Sequence, residues 1–269
     1  MTRDSKIFIT GLDVLFVIFL LISGCFSGVL SSVIYILAFI IPIAIGFIKT
    51  RDKNSDTDFL SLGGAKRSLP FIAPTILAVM SVSLLTSLLV GWISGKENVV
   101  ELGDSLIVAL ISHAVAPAIL EEALFRLVPL RAMRGEKASV TVIYSALLFA
   151  LIHHSFFSMP YAFLAGAVFM LIDLVFDSAL PSVIIHFLNN ALSVFFIFYA
   201  DSQWLIPLAV GALVVLSAVS ILYLYSNKER FKIITEKITE VGKLDFALPA
   251  ELLILAVPML ILAVAELIQ

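Results

Sequence analysis

The sequence predicts an all-α fold, a polytopic transmembrane helix bundle of eight or nine helices forming a single integral membrane domain over residues 1–269. Two observations lead to this fold class. Apolar residues make up 61% of the chain and charged residues only 14%, whereas soluble domains carry roughly a quarter charged residues. The apolar residues also fall into runs of about 20, the length that crosses a hydrocarbon core as a helix.

Charged, glycine and proline clusters divide the chain into candidate spans at about 8–29, 31–48, 69–93, 105–128, 139–157, 160–176, 179–200, 203–225 and 249–268. The first run has no small-residue cleavage site, so we expect a retained helix rather than a signal peptide. The last run contains Glu251, Pro258 and Glu266, which leaves open whether it spans the membrane or lies partly in the interface. Cys25, the only cysteine, stands in an apolar run and is expected to pack there.

Two connecting segments are polar. The segment between Lys49 and Arg67 is rich in Asp, Ser, Gly and Lys and reads as a flexible cytoplasmic connection. Between Lys228 and Phe246, apolar residues recur at intervals of three and four residues. That pattern fits either an amphipathic helix on the membrane surface or a solvated linker.

The basic residues predict the orientation, because Lys and Arg are retained on the cytoplasmic side. If the N-terminus is inside, 15 of the 17 Lys and Arg residues fall inside, Lys96 alone falls outside, and Arg126 lies within a span. We therefore expect a cytoplasmic N-terminus. As a separate expectation, the membrane is the plasma membrane of a prokaryote. If one helix had been missed, the loops after it would change sides and the basic residues would no longer fall on one side. The distribution of basic residues therefore also supports eight spans up to residue 225.

Ionisable and amide residues stand at membrane depth on three of the predicted helices. They are His113, Glu121, Glu122 and Arg126 on the fourth, His153 and His154 on the fifth, and His186, Asn189 and Asn190 on the seventh. Charged groups at this depth cost about 3 kcal/mol each even on lenient scales, so they indicate function.

Helical spacing separates the two adjacent carboxylates. Glu122 and Arg126 are four residues apart and share a helix face, so they are expected to form a neutralised structural pair. Glu121 is rotated from Glu122 by about 100°. Glu121 is therefore expected to be the free carboxylate that faces the cavity.

The other polar residues are weighed individually. For His113 and His154 we favour a hydrogen bond to a neighbouring helix over a catalytic role. Asp173 and Asp177 share a face of the sixth helix. They could suggest an aspartyl mechanism, but a cytoplasmic helix end or an interhelical contact is the favoured interpretation.

Three motifs in this order on separate hydrophobic helices resemble the signatures of the CAAX protease and bacteriocin-processing family, whose members include the type II CAAX prenyl proteases. The motifs are Glu121-Glu122-x-x-x-Arg126, Phe149-x-x-x-His153 and His186-x-x-x-Asn190. The resemblance covers about residues 105–200, the expected catalytic core. It implies an intramembrane glutamic endopeptidase without cofactor or metal. The implied substrate is a peptide or a membrane-protein tail, and the resemblance leaves open whether this substrate is lipidated. No nucleic-acid partner is expected, and membrane lipids surround the bundle.

The chemistry fits these residue types independently of the family. Peptide hydrolysis needs a base for water, donors for the oxyanion and an acid for the leaving amine. Glu121 can take and return the proton of the water, and His153 can hold the same water. His186 and Asn190 can present N–H donors to the oxyanion. Phe149 accompanies His153 as a supporting residue.

Depth along the helices predicts where cleavage occurs. At about 1.5 Å per residue, Glu121 and His186 both lie roughly 10 Å or slightly more from the cytoplasmic helix ends, and His153 lies at about 20 Å. We therefore expect cleavage near the cytoplasmic membrane face, with His153 deeper than its partners.

Three alternatives remain at the level of the sequence. A zinc protease could use Glu121, His153 and His186, because two His and one Glu form a known catalytic zinc set, although His-Glu-x-x-His is absent. A proton-coupled transporter could relay protons through the same residues, but no inverted repeat is visible. The third is a catalytically silent membrane scaffold or immunity protein of the same fold.

Overall fold

The computed structural model describes residues 3–51, 60–95, 102–103, 105–133, 136–153, 155, 157–232, 236 and 239. The ninth candidate span, at 249–268, and His154 lie outside these residues. So do the middle of the polar connection after Lys49 and most of the segment from Lys228 to Phe246.

The described part is an all-α bundle, which confirms the predicted fold class. Its helices are α1 (Arg3–Gly24), α2 (Gly28–Lys49), α3 (Leu62–Ser94), α4 (Leu106–Ala132), α5 (Ala138–Leu151), α6 (Met159–Phe176), α7 (Leu180–Phe198) and α8 (Leu205–Ser226). Seven of these are long and apolar enough to cross a membrane, whereas α5 has only 14 residues. The first eight predicted spans thus each correspond to one helix.

Two boundaries differ from the prediction. The fifth span was expected to continue to residue 157, but α5 ends at Leu151, so His153 lies in the turn after the helix. The first span was expected to reach residue 29, but α1 ends at Gly24. Cys25 therefore lies exposed in the turn before α2, and the expected packing role is wrong.

Helix α4 contains two π-helical turns, at Ile111–Val115 and Ala123–Leu127. Each precedes a proline: Pro117 follows the first and Pro129 follows the second. A proline has no N–H to bond the carbonyl four residues before it, and it crowds that carbonyl. The wider turn accommodates this defect, and π turns of this kind occur frequently at functional sites. Glu121 and Glu122 lie between the two turns.

The second π turn is tied to α5. Pro129 cannot donate to the carbonyl of Phe125, and the hydroxyl of Ser145 on α5 donates to that oxygen instead, at 2.6 Å. Both Ser145 and Phe125 are fully buried. The bond fixes α4 beside the helix that leads to Phe149 and His153.

The end of the bundle that carries the basic loops is tightly packed. This basic end comprises the C-termini of α2, α4 and α6 and the N-termini of α3, α5 and α7. A Cβ atom on Gly64 would lie 2.6 Å from the carbonyl oxygen of Phe176, and one on Gly46 would lie 2.8 Å from a methyl of Val128. Only glycine allows these helices to approach so closely. The hydroxyl of Ser178 also donates to the carbonyl of Ser61, at 3.1 Å.

Candidate active site

Glu122 is fully buried between two cationic or potentially cationic side chains. Its Oε2 lies 3.3 Å from Nε of Arg126, so the pair expected from the spacing of four is present. Its Oε1 lies 2.8 Å from Nδ1 of His186 on α7. A carboxylate only accepts, so the imidazole donates from Nδ1 and its Nε2 points away from Glu122. Glu122 thus orients His186 as well as pairing with Arg126.

Glu121 faces the other side of the same imidazole. Its Oε2 is 3.9 Å from Nε2 of His186, and its side chain is 13% exposed whereas that of Glu122 is 0% exposed. Glu121 lines a cavity of about 390 Å³ together with His153, His186 and Asn190. The structure therefore brings the four predicted catalytic residues around one space and separates the two carboxylates as the helix geometry requires.

His153 reaches this cavity from the turn after α5. Its Nδ1 lies 2.7 Å from the carbonyl oxygen of Phe149. A carbonyl oxygen accepts, so Nδ1 of His153 donates this hydrogen bond. The 14 residues of α5 span only about 21 Å, less than the hydrocarbon thickness of about 30 Å. The short helix explains how a residue beyond its end still lies at the depth of the cavity.

Phe149 contacts three of the polar side chains. Its ring lies 4.8 Å from that of His153 and 5.8 Å from that of His186, both edge to face. The guanidinium carbon of Arg126 lies 4.2 Å from the centroid of the same ring. None of the guanidinium nitrogens forms a hydrogen bond with a described residue. Arg126 is therefore held by the charge of Glu122 and by ring contact.

Asn190 is oriented by its neighbour. The amide nitrogen of Asn189 donates to Oδ1 of Asn190 at 3.3 Å. With its oxygen occupied, Asn190 has its NH₂ group available for an acceptor in the cavity. Asn190 follows His186 by one turn of α7, so both present polar groups to the space in front of Glu121.

Residues 103–192 match the family model described as type II CAAX prenyl endopeptidase Rce1-like. This segment is therefore similar to Rce1-like domains. It is about a third of the chain and includes all three motifs. A search of curated proteins and a search of solved structures each gave no match. The match supports a CAAX-type endopeptidase at the level of the family, and the seven helices long and apolar enough to cross a membrane support an integral membrane protein.

The matched segment also contains cavity residues that the sequence did not single out. Tyr161 on α6 and Ser112 and Pro117 on α4 line the space, and Tyr35 on α2 reaches it from outside the matched segment. His113 lines it too, although the sequence favoured a hydrogen bond to a neighbouring helix. The π turn that carries His113 changes which face of α4 it occupies, and only Pro117 gave a sequence signal for that turn.

The two aspartates of α6 lie at its C-terminal end, as favoured. Oδ1 of Asp173 accepts a hydrogen bond at 3.1 Å from the backbone N–H of Ser182 in the first turn of α7. Such an acceptor satisfies a free N–H of a helix N-terminus. Asp177 caps α6 in the left-handed conformation, with φ 49°. The bond from Asp173 fixes α7 one turn before His186.

Among the described residues, no three His, Cys, Asp or Glu side chains come together in a way that could hold a metal ion. Glu121, His153 and His186 are therefore not assembled as the zinc alternative requires. That the enzyme needs no metal remains a prediction.

Proposed function

We propose that the chain is a glutamate-dependent intramembrane endopeptidase in which Glu121 activates the water. One observation carries the proposal: of two adjacent membrane-embedded carboxylates, Glu122 is fully buried and engaged, whereas Glu121 faces a cavity that also holds His153, His186 and Asn190. The similarity of the matched segment to a family of CAAX-type endopeptidases supports peptide hydrolysis as the reaction.

The hydrolysis has two steps. The water oxygen attacks the scissile carbonyl carbon while Glu121 takes one proton of the water and His153, on the same cavity, helps to hold that water. The tetrahedral intermediate then collapses, the C–N bond breaks, and Glu121 returns the proton to the leaving amine. The products are a carboxylic acid and an amine, and Glu121 is regenerated as the carboxylate.

The oxyanion is stabilised from α7. The NH₂ group of Asn190 and Nε2 of His186 are the donors, and removal of one such donor typically lowers the rate by about 10²–10³-fold. Nδ1 of His186 donates to Glu122, and this bond directs Nε2 toward the cavity and Glu121.

The test is hydrolysis by purified protein in lipid nanodiscs. The substrates are internally quenched peptides with and without a prenylated cysteine, and the cleavage sites are read by mass spectrometry. Glu121→Gln keeps the shape and removes the charge, so turnover should fall by at least about 10²-fold. Asp13→Asn is the matched control, because Asp13 is also a buried carboxyl, on α1, but does not line the cavity.

Normal turnover by Glu121→Gln would reject the mechanism. If Asp13→Asn loses as much activity as Glu121→Gln, the effect is general to buried carboxyls and not specific to the site. If the wild-type protein cleaves no peptide in the panel, the result would favour the silent scaffold of the same fold.

A further inference from the structure

The space around Glu121 is closed toward the basic end of the bundle. Directly beyond the carboxylates, the side chains of Arg126, Met170, Asp173 and Ser182 are 0% exposed and Val128 is 1% exposed. The close contacts of Gly46 and Gly64 seal the same end. A polypeptide cannot reach Glu121 from this side without separating packed helices.

A second cavity adjoins this space in the opposite direction. Its volume is about 440 Å³, and His113, Tyr161, Asn189 and Asn190 line both cavities. It runs between α3 and α7 to Leu102 and Ile197, at the end of the bundle opposite the basic loops. The two adjoining cavities therefore extend from Glu121 away from the basic end.

The second cavity has serine hydroxyls on both walls of an otherwise largely apolar lining. Ser83 and Ser87 lie one turn apart on α3, and Ser193 lines the cavity from α7. The hydroxyl of Ser193 donates to the carbonyl of Asn189 at 3.0 Å and so offers only an acceptor, whereas the hydroxyls of Ser83 and Ser87 can donate to and accept from an extended peptide. From His186 to Ile197, α7 rises by about 16 Å, which about five extended residues cover at roughly 3.3 Å each. We call this space the serine-lined cavity.

We infer that the serine-lined cavity binds about five extended peptide residues of the substrate, which reaches Glu121 from the end of the bundle opposite the basic loops. With the basic loops in the cytoplasm, this is the extracytoplasmic side. The inference rests on the proposed endopeptidase activity and replaces the expected cytoplasmic access. The depth of Glu121 along α4 set that expectation, but depth does not decide on which side a cavity opens.

The first test fills the cavity. Ser87→Trp should lower kcat/KM at least tenfold for a peptide that is long on both sides of the cleaved bond. Some peptides are truncated so that only one or two residues remain on the side of the cleaved bond that occupies the cavity. For these peptides kcat/KM should be unchanged. The control is Leu88→Trp, because Leu88 is the next residue of α3, is 62% exposed and does not line the cavity.

Three outcomes would reject the inference. The first is equal rates for Ser87→Trp and Leu88→Trp on long peptides, and the second is that Ser87→Trp lowers kcat/KM equally for long and truncated peptides. The third is that Ser87→Trp lowers kcat/KM only for prenylated peptides, which would assign the cavity to a lipid chain. In each case hydrolysis that depends on Glu121 would stand. Conversely, full activity of Glu121→Gln would reject the endopeptidase mechanism whatever Ser87→Trp does.

The second test does not depend on turnover. In a Cys25→Ala, Glu121→Gln background, Ser87→Cys is labelled with an impermeant thiol reagent in intact cells, beside Gln203→Cys and Arg51→Cys as markers of the two ends. Ser87→Cys should label from the same side as Gln203→Cys, and an unlipidated substrate peptide should slow its labelling severalfold but not that of Gln203→Cys. Labelling from the side of Arg51→Cys, or no protection by the peptide, would overturn the inference.

Discussion

The carboxylate of Glu122 contacts a guanidinium and an imidazole with its two oxygens, and each contact serves a different purpose. The 3.3 Å contact with Arg126 neutralises two buried charges, and the 2.8 Å hydrogen bond fixes the ring of His186. Glu121 lies 3.9 Å from Nε2 of the same ring, beyond hydrogen-bond distance, and faces the cavity. In the proposed mechanism, these adjacent residues of one helix divide between positioning and chemistry because they point in directions about 100° apart.

Arg126→Ala should reduce stability as well as activity. The change strands the buried charge of Glu122, and breaking a buried pair costs about 3–5 kcal/mol. Thermal unfolding of the purified variant measures the loss. The double variant Glu122→Gln, Arg126→Ala removes the stranded charge and should recover much of the melting temperature. It should not recover activity, because His186 loses its carboxylate partner.

A fully stable but inactive Arg126→Ala protein would contradict this scheme. It would show that Arg126 acts in the reaction rather than in stabilising the fold. If the double variant were less stable than Arg126→Ala, the lost bond between the Glu122 carboxylate and His186 would cost more than the stranded charge, and the expected recovery would be wrong.

Metal content separates the glutamate mechanism from the zinc alternative. Purified active protein should contain no stoichiometric transition metal by elemental analysis and should keep its activity after chelation and dialysis. The metal content of the Glu121→Gln variant should equal that of the wild type. Stoichiometric zinc whose removal abolishes activity and whose return restores it would establish the zinc mechanism instead.

The sequence indicated those parts of the site that depend on local spacing. Glu122 and Arg126 are four residues apart on one helix, and their pair could be read directly. The bond from Glu122 to His186 joins residues 64 positions apart, and no spacing predicts which oxygen of which carboxylate a distant imidazole meets. The position of His153 was expected on a helix because the apolar run continues past Leu151, whereas the chain turns there.

At the scale of the helix, two prolines shape α4. Pro117 and Pro129 each follow a π turn, and the glutamates lie between these turns. The sequence contained both prolines, but a proline can kink a helix, widen a turn or end the helix, and the neighbouring helices decide which. Here Pro129 has no N–H for the carbonyl of Phe125, and the hydroxyl of Ser145 donates to that carbonyl.

Ser145→Ala should therefore destabilise the protein by about 0.5–1.5 kcal/mol, because it removes a buried hydrogen bond to the carbonyl of Phe125. Pro129→Ala offers a backbone N–H to the same carbonyl, so Ser145→Ala should cost less in the Pro129→Ala background. Melting temperatures of the four proteins complete the cycle. Additive losses would show that the hydroxyl and the missing N–H do not compensate for each other.

For the whole molecule, the alternation of basic and non-basic loops correctly implied the helix count up to Ser226, and that count fits the described helices. Both tryptophans, Trp92 and Trp204, lie at the non-basic end and are 83% and 78% exposed. Tryptophan favours the membrane interface, so this end is expected to meet a headgroup layer. The direction of the cavity could not be predicted, because it depends on how tightly the helices pack at each end.

The orientation of the bundle can be tested with its own cysteine. Cys25 is exposed in the turn between α1 and α2, at the end opposite the basic loops. Since Lys and Arg remain on the cytoplasmic side, an impermeant thiol reagent should label wild-type protein in intact cells. Arg51→Cys in a Cys25→Ala background should label only after permeabilisation, and Cys25→Ala alone should not label. Labelling of Arg51→Cys in intact cells would invert the bundle. The serine-lined cavity would then open to the cytoplasm, whereas the roles of Glu121 and its neighbours, which depend only on their mutual geometry, would be unchanged.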